Sequence, residues 1–521
     1  MNEFVTPNIE WAALTPILVV AAAAVIGVLV EAFAPRGARR AIQVPLTLGA
    51  LAGSLVALVW RWTEVDESGP IAIAGGQIIE DGLTLGIQAV LFVSAMVATL
   101  VIADRTQSRD GSFAASAAAR PGSEEEREMT KAKVEQTEVF PLVLFATTGM
   151  AVFPAAGDLL TLFIALEVLS LPLYVLSGMA RRKRLISQEA ALKYFLLGAF
   201  SSAFFLLGIA LLYGFSGSLR FSEIMTATSA TVSMDWLAVA GVILVLIGLL
   251  FKVGAVPFHS WTPDVYQGAP TPVTGFMAAC TKIAAFGAMI RFLYVVAPAI
   301  MDNLEVLLWV IVIVTMLVGT VMGIIQTDVK RLLAYSSIAH AGFILIAVMS
   351  GTAEGISAVM FYLSAYALAT IGAFGVISLV RVKTADGTVT GEATDLDSWA
   401  GLGKRSPLVA TAMFIFLLSF AGIPLTAGFV GKFSAFAAGI DAGLWPLVLL
   451  AVIASAATAY FYFRLMVVMF FTEPDGEKTA VVSSEGMSLI AVVLCLVGTI
   501  LLGVVPSLVL DLFDSVAVLL P

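Results

Sequence analysis

Apolar and polar residues alternate in long blocks along this chain. The apolar blocks are about 20 residues long, the length at which a helix crosses ~30 Å of hydrocarbon. Fourteen such blocks can be counted, and they span residues 12–33, 41–60, 83–103, 139–155, 159–179, 189–213, 236–257, 270–297, 304–325, 332–350, 355–380, 407–437, 444–471 and 486–513. The pattern therefore predicts an all-α polytopic membrane protein with about fourteen transmembrane helices.

The composition limits the classes of function that this chain can have. Of the 521 residues, 60% are hydrophobic and 12% are charged, whereas a soluble domain averages about 25% charged residues. Cys280 and Cys495 each stand alone in an apolar block, and an iron–sulfur cluster needs about four thiolates. There is no C-x-x-C-H haem motif and no glycine-rich phosphate loop after a strand pattern. A haem between His259 and His340 stays formally open, but the sequence predicts no redox centre or nucleotide site in this chain.

Basic residues are distributed unevenly between the two ends of the predicted helices. The odd-numbered loops carry 20 of them, and the even-numbered loops and the termini carry two, Arg61 and Arg220. Under the positive-inside rule, the odd-numbered loops are cytoplasmic and both termini face outside. The longest of these loops, 104–138, is rich in Ala, Ser and charged residues. Its composition predicts a mobile cytoplasmic loop.

Two predicted helices are interrupted beside a lysine. Lys252 precedes the Gly-x-x-Pro segment 254–257 of helix 7, and Lys432 follows the Ala-Gly-Ile-Pro segment 421–424 of helix 12. Paired breaks are typical of ion transporters built from inverted repeats. Because the breaks are five helices apart, and an odd number of helices inverts topology, helices 4–8 and 9–13 are predicted to be inverted repeats. The chain then divides into three N-terminal helices (1–103), the loop (104–138), the first repeat (139–297), the second repeat (304–471) and a C-terminal helix (486–513).

Charged residues inside the spans are the main functional signal. An ionised side chain at mid-membrane costs at least ~2.5–3.5 kcal/mol, and such residues usually mark ion paths. Glu167 is the clearest acidic residue of this kind, and the basic residues in the spans are Lys193, Lys252, Lys282, Arg291, Lys432 and Arg464. Burial lowers the pKa of a lysine toward neutrality, and a carboxylate nearby opposes this change. A Glu–Lys pair that forms and breaks is therefore an adequate proton switch.

Alternative roles exist for several of these residues. Lys193 lies one turn inside helix 6 and could extend its ammonium to the membrane surface. Arg291 and Arg464 could each be a packing or pairing residue. His340 could be a hydrogen-bonded packing residue or, because of its near-neutral pKa, a relay between the two halves.

Three segments carry a resemblance to a known family. The strings VPFHSWTPDVYQGAPTPV (256–273), VKRLLAYSSIAHAGF (329–343) and LSFAGIPLTAGFVGKF (418–433) closely resemble the subunit N family of proton-translocating NADH–quinone oxidoreductases, respiratory complex I. The resemblance extends from the first helix to the last. The three segments also resemble a wider group of antiporter-like subunits, among them the large subunits of multisubunit cation/proton antiporters. The 104–138 loop departs from the shorter connection that is common in the family.

The resemblance implies a role for each residue of a proton relay. The implied roles are a helix 5 glutamate (Glu167) paired with a helix 7 lysine (Lys252), a connecting helix 6 lysine (Lys193), a central helix 8 lysine (Lys282), a helix 10 polar bridge (His340) and the helix 12 residue of the outward half-channel (Lys432).

The resemblance also implies the surroundings of the chain. It implies a non-redox subunit in a bacterial-type cell (inner) membrane, with proton transfer coupled to quinone reduction elsewhere. Flavin, iron–sulfur clusters and the quinone pocket would belong to partner subunits. The expected partners are other membrane-arm subunits, especially the antiporter-like sister subunits, and the lipid bilayer. The chain would interact with quinone only through the complex, and no nucleic-acid partner is expected.

Two other functions compete with this interpretation. One is a subunit of a cation/proton antiporter, which a helix 12 glutamate in place of Lys432 or a long C-terminal extension would favour. The other is a structural anchor that conducts no protons. An anchor predicts that Lys252→Ala and Glu167→Ala leave pumping intact.

Overall fold

The computed structural model describes residues 9–106, 111–115, 119–131, 136–230, 235–383, 389–474, 479–482, 484–517 and 519–520. The helices are α1 (Trp11–Phe33), α2 (Arg36–Ser68), α3 (Gly82–Ala103), α4 (Glu124–Lys131), α5 (Val139–Val152), α6 (Leu159–Ser177), α7 (Arg184–Ser216), α8 (Phe221–Ala230), α9 (Trp236–Val253), α10 (Trp261–Gly268), α11 (Thr271–Phe276), α12 (Lys282–Val296), α13 (Met301–Ile324), α14 (Val329–Met349), α15 (Ala353–Leu379), α16 (Leu402–Arg405), α17 (Pro407–Ala421), α18 (Ala427–Asp441), α19 (Trp445–Phe471), α20 (Met487–Val504) and α21 (Ser507–Val516).

Short strands occur only in connections between helices in the described residues. They are β1 (Ile71–Ile73), β2 (Ile78–Glu80), β3 (Val380–Lys383), β4 (Val389–Glu392) and β5 (Thr479–Val481). β1 and β2 form an antiparallel pair, and β4, β3 and β5 form a three-stranded antiparallel sheet.

Twelve helices in the described part of the chain are long and apolar enough to cross a membrane. Two shorter apolar helices, Val139–Ala155 and Pro407–Ala421, lie where predicted helices 4 and 12 begin. The all-α polytopic membrane class is therefore confirmed. The count of fourteen spans stays a prediction, because these two helices are each shorter than the others.

Burial divides the helices into an inner and an outer set. The most apolar stretch of Thr271–Val296 is completely buried, and those of Val329–Met349 and Ala353–Leu379 are nearly so. In contrast, most of the corresponding stretch of Arg184–Ser216 is exposed. Exposed apolar side chains on a membrane helix are suited to face lipid, so α12, α14 and α15 form the centre of the bundle.

Both predicted helix breaks are present. Predicted helix 12 is split into α17 and α18, whereas predicted helix 7 ends as α9 at Val253, and α10 begins at Trp261, beyond the predicted end at residue 257. Both α9 and α17 end at a glycine in the left-handed region, Gly254 (φ 76°) and Gly422 (φ 80°). The N–H of the following residue donates to the carbonyl of Leu250 in one case and of Leu418 in the other, as in a helix end capped by glycine. The two breaks are thus built alike, while the inverted-repeat relation stays a prediction.

The 104–138 loop contains α4 and contacts the segment before α7. Arg181 N donates to Ser112 O, and Ala114 N donates to Met179 O, each at 2.9 Å. Three parts of the loop lie outside the described residues: 107–110, 116–118 and 132–135. Its mobility stays a prediction.

Candidate functional site

Lys252 lies in the last turn of α9, just before the break, and is buried. Its Nζ has no hydrogen-bond partner in the part of the chain that the structure describes. Instead it lies 5.6 Å from the ring centroid of Tyr174 and 5.3 Å from that of Tyr194. Tyr194 stacks on Trp261, whose indole N–H donates to Phe251 O at 2.9 Å. This aromatic wall stabilises an ammonium without committing its protons to an acceptor.

Glu167 does not pair with Lys252 in this structure. Its carboxylate accepts a hydrogen bond from Ser202 Oγ at 2.5 Å. Tyr174 is the residue of α6 that contacts Lys252, and it follows Glu167 by two turns on the same helix face. Among the described residues Glu167 and Lys252 form no direct ion pair, although the charge of the Glu167 carboxylate acts on the Lys252 ammonium.

Lys193 belongs to a charge cluster formed by side chains of α7, α10 and α14. Its Nζ lies 2.7 Å from Glu189 Oε1 and 2.8 Å from Asp264 Oδ2. The other oxygen of Asp264 lies 2.7 Å from Nη1 of Arg331. Asp264 of α10 therefore links α7 to α14. It is the only acidic residue in the string 256–273, and the sequence analysis missed it.

Lys282 is the first residue of α12 and is buried at the centre of the bundle. It follows a π-helical turn, Met277–Thr281, a feature frequent at functional sites. Its Nζ donates to Ser337 O and lies 5.2 Å from the ring centroid of Tyr366. The hydroxyls of Ser337 and Tyr266 are 3.2 Å apart. Lys282 is thus attached to α14 and, through Ser337, to α10.

His340 lies on α14, one turn beyond the residue that Lys282 contacts. Its Nδ1 is 2.8 Å from the hydroxyl of Tyr362, and its Nε2 is 3.2 Å from the hydroxyl of Tyr462. Phe343 and Phe420 pack edge-on against the ring. A tyrosine hydroxyl can donate or accept, so both hydrogen bonds persist when the imidazole changes tautomer. This property suits a group that passes a proton from one nitrogen to the other.

Lys432 bridges the break in predicted helix 12. Its Nζ donates to the carbonyls of Phe420 (2.8 Å) and Ala421 (3.1 Å) and to Ser455 Oγ (2.8 Å). The two carbonyls belong to the last turn of α17, which Gly422 terminates. The final carbonyls of a helix lack intrahelical partners and carry its negative end. Lys432 is therefore held by a helix terminus, whereas Lys252 has no such acceptor among the residues that the structure describes.

Sequence reasoning missed the partners of these residues. Besides Asp264, they include four tyrosines, Tyr174, Tyr194, Tyr362 and Tyr462, all buried. The sequence feature that could have identified these tyrosines is a hydroxyl group inside an apolar span, because such a group needs a hydrogen-bond partner within the membrane. This feature identifies the tyrosine but does not predict which residue it contacts.

The described residues contain no group of three or more His, Cys, Asp or Glu side chains arranged to hold a metal ion. Cys280 and Cys495 are buried and not joined in a disulfide.

Comparison with known proteins identifies the family. The family model described as NADH:quinone oxidoreductase/Mrp antiporter, TM, matches residues 156–498. NADH-quinone oxidoreductase subunit N of Beutenbergia cavernae is 60% identical over 521 residues, which covers 98% of each chain. A chain of respiratory complex I from Thermus thermophilus with bound Aureothin is 34% identical, with a TM-score of 0.75 over 95% of this chain and 98% of that one.

A more distant solved structure shares the fold. A chain of the Mrp complex from Dietzia sp. is 22% identical, with a TM-score of 0.79 over 98% of this chain and 97% of that one. At this identity the likeness shows the fold alone. The resemblance of the sequence to the subunit N family is confirmed, and the chain belongs to the NADH:quinone oxidoreductase/Mrp antiporter family of transmembrane subunits.

Proposed function

We propose that this chain is a proton-translocating subunit in the membrane arm of an NADH–quinone oxidoreductase. The observation that carries the proposal is the set of buried protonatable side chains at the centre of the bundle. Lys282 contacts α14, the helix that carries His340, and both nitrogens of His340 are hydrogen-bonded to tyrosines. Ionisable groups at this depth are expensive and usually mark ion paths.

Each residue of the relay has a proposed role. Lys193 and Asp264 receive protons at the cytoplasmic side, Lys252 and Lys282 hold them within the first half, His340 passes them between halves, and Lys432 releases them outward. With the odd-numbered loops in the cytoplasm and both termini outside, α18 runs toward the outer surface. The position of Lys432 on it agrees with release on that side.

The switch proposed for the first half is a movement of Glu167 between Ser202 and Lys252. When the carboxylate is about 4 Å from the ammonium, the attraction is ~4 kcal/mol at an effective dielectric near 20. A proton driven against ~150 mV costs ~3.5 kcal/mol. The hydrogen bond from Ser202 to Glu167, at 2.5 Å, represents the arrangement in which Lys252 is ready to release its proton.

The same proposal assigns roles to the other subunits of the complex. Partner subunits bind NADH, flavin, the iron–sulfur clusters and quinone, and the energy of quinone reduction reaches this subunit through its antiporter-like neighbours. The complex lies in a bacterial-type cell membrane. No redox step occurs on this chain.

Asp264→Asn is expected to lower NADH-driven proton pumping on the order of tenfold, because a relay group loses its position. The substitution removes the charge that holds both Lys193 and Arg331. Proton uptake by membrane vesicles, normalised to quinone reduction, measures the effect.

Glu189→Gln is the matched control. It removes the other carboxylate beside Lys193 but leaves the bridge between α7 and α14 intact. Pumping close to that of the unchanged protein is expected. Equal losses in the two variants would mean that the bridge has no special role.

The proposed function itself is tested by affinity purification of the chain in mild detergent. We expect flavin, iron and NADH–quinone activity to co-purify. Flavin and iron without NADH activity would indicate a related complex with another electron donor. Absence of all three, with a small set of membrane subunits, would contradict the proposal in favour of a cation/proton antiporter.

A further inference from the structure

His340 lies between two tyrosine hydroxyls, and one of them continues to a serine. The hydroxyl of Tyr462 is 3.2 Å from His340 Nε2 and also forms a hydrogen bond with Ser336 Oγ. On the other side of the ring, the hydroxyl of Tyr362 is 2.8 Å from Nδ1. All four side chains are buried. They form a continuous hydrogen-bonded series, Ser336–Tyr462–His340–Tyr362, which is called the hydroxyl wire below.

The serine end of the hydroxyl wire lies on the side of the first half. Ser336 and Ser337 are neighbours on α14, and the carbonyl of Ser337 accepts from Lys282 Nζ. The charge of Lys282 also acts on the imidazole of His340. A proton released by Lys282 is therefore close to the first member of the wire.

The tyrosine end lies on the side of the second half. Tyr362 packs against Gly431, the residue before Lys432, and a Cβ added to Gly431 would lie 3.1 Å from Tyr362 Cα. Phe420 also lies between His340 and Lys432, because its ring contacts the imidazole and its carbonyl accepts from Lys432 Nζ. A carbonyl accepts a hydrogen bond but cannot donate one. Of these two connections, only the Tyr362 hydroxyl can pass a proton onward.

We propose that the hydroxyls of Tyr462 and Tyr362 carry protons to and from His340, so that the hydroxyl wire joins the two halves. A proton that enters at Ser336 displaces the hydroxyl proton of Ser336 to Tyr462, and Tyr462 donates its own to Nε2. Nδ1 then donates its proton to Tyr362, whose hydroxyl proton leaves toward Lys432. Each member gains one proton and loses one, so none is left charged. Reorientation of the hydroxyls and the imidazole restores the starting arrangement.

The inference rests on the proposed function, and its test removes each hydroxyl without its ring. Tyr462→Phe and Tyr362→Phe are made in the whole complex. Proton uptake by membrane vesicles per quinone reduced is measured together with the amount of assembled complex. Each variant should lose as much proton uptake as Lys252→Met, because a proton is transferred only to a group within hydrogen-bond reach. Combining either variant with Lys252→Met should lower the uptake no further, since both interrupt one path.

Tyr294→Phe is the matched control. The hydroxyl of Tyr294 donates to Val348 O of α14 at 2.9 Å and lies outside the hydroxyl wire. The variant therefore loses a hydroxyl contact with the same helix while the wire stays complete. It should take up protons like the unchanged complex, and a loss equal to that of Tyr462→Phe would assign the tyrosine hydroxyls a structural role and overturn the proposal.

The hydroxyl wire and the proposed function fail in different ways. Normal proton uptake by Tyr462→Phe or by Tyr362→Phe, with Lys252→Met defective, would overturn the wire and leave the proposed function in place. Normal uptake by fully assembled Lys252→Met would overturn both.

Discussion

Replacing Lys252 with methionine is expected to stop proton transfer through this subunit while leaving its helices in place. The Nζ of Lys252 makes no hydrogen bond in the described part of the chain, so its removal leaves no buried acceptor unsatisfied. Methionine has a similar length and makes favourable contacts with aromatic rings, and Tyr174 and Tyr194 supply them. Loss of a positioned proton carrier typically lowers a transfer rate by 10²-fold or more.

The measurement is NADH-driven proton uptake by membrane vesicles, together with the amount of assembled complex. Lys252→Arg separates charge from proton carriage, because arginine keeps its charge but does not release its proton. We expect it to fail as methionine does. Leu249→Met, a buried substitution on the same helix, should pump normally. Full assembly with an unchanged proton-to-electron ratio in Lys252→Met would contradict the proposed relay and support a structural anchor.

The features that sequence predicted correctly depend on local patterns. The apolar blocks place the spans because helix length and hydropathy are properties of consecutive residues. The glycine and proline residues of the two breaks are also local signals. Gly254 and Gly422 adopt left-handed conformations that other residues avoid. The lysines were found because a charge in an apolar block is costly wherever the helix packs.

The contacts that sequence could not supply depend on how helices are placed against one another. The hydroxyl of Tyr462 contacts His340, although the two residues are 122 positions apart in the sequence. No local sequence pattern predicts this contact. Glu167 and Lys252 were expected to pair, yet Lys252 lies over the ring of Tyr174 and the Glu167 carboxylate accepts a hydrogen bond from Ser202.

Arg291 shows how a structural charge differs from the relay lysines. The sequence left open a packing or pairing role for it, and the structure gives it three acceptors. Its guanidinium donates to Asp81 Oδ1 at 2.6 Å, Thr84 Oγ1 at 2.9 Å and Pro154 O at 2.6 Å. Both charged side chains are almost completely buried. The ion pair ties α12 to the start of α3, and Asp81 also accepts from Leu520 N near the C-terminus.

Arg291→Leu is therefore expected to destabilise the protein by ~3–5 kcal/mol, because it leaves the Asp81 carboxylate buried without its cation. Thermal unfolding of the purified protein in detergent measures the loss. Asp81 also caps α3 by accepting from Thr84 N at 2.9 Å, and asparagine caps a helix about as well as aspartate. The double variant Asp81→Asn with Arg291→Leu keeps that cap and removes the unpaired charge. It should recover most of the lost stability, and a double variant no more stable than Arg291→Leu would show that the buried charge is not the cause.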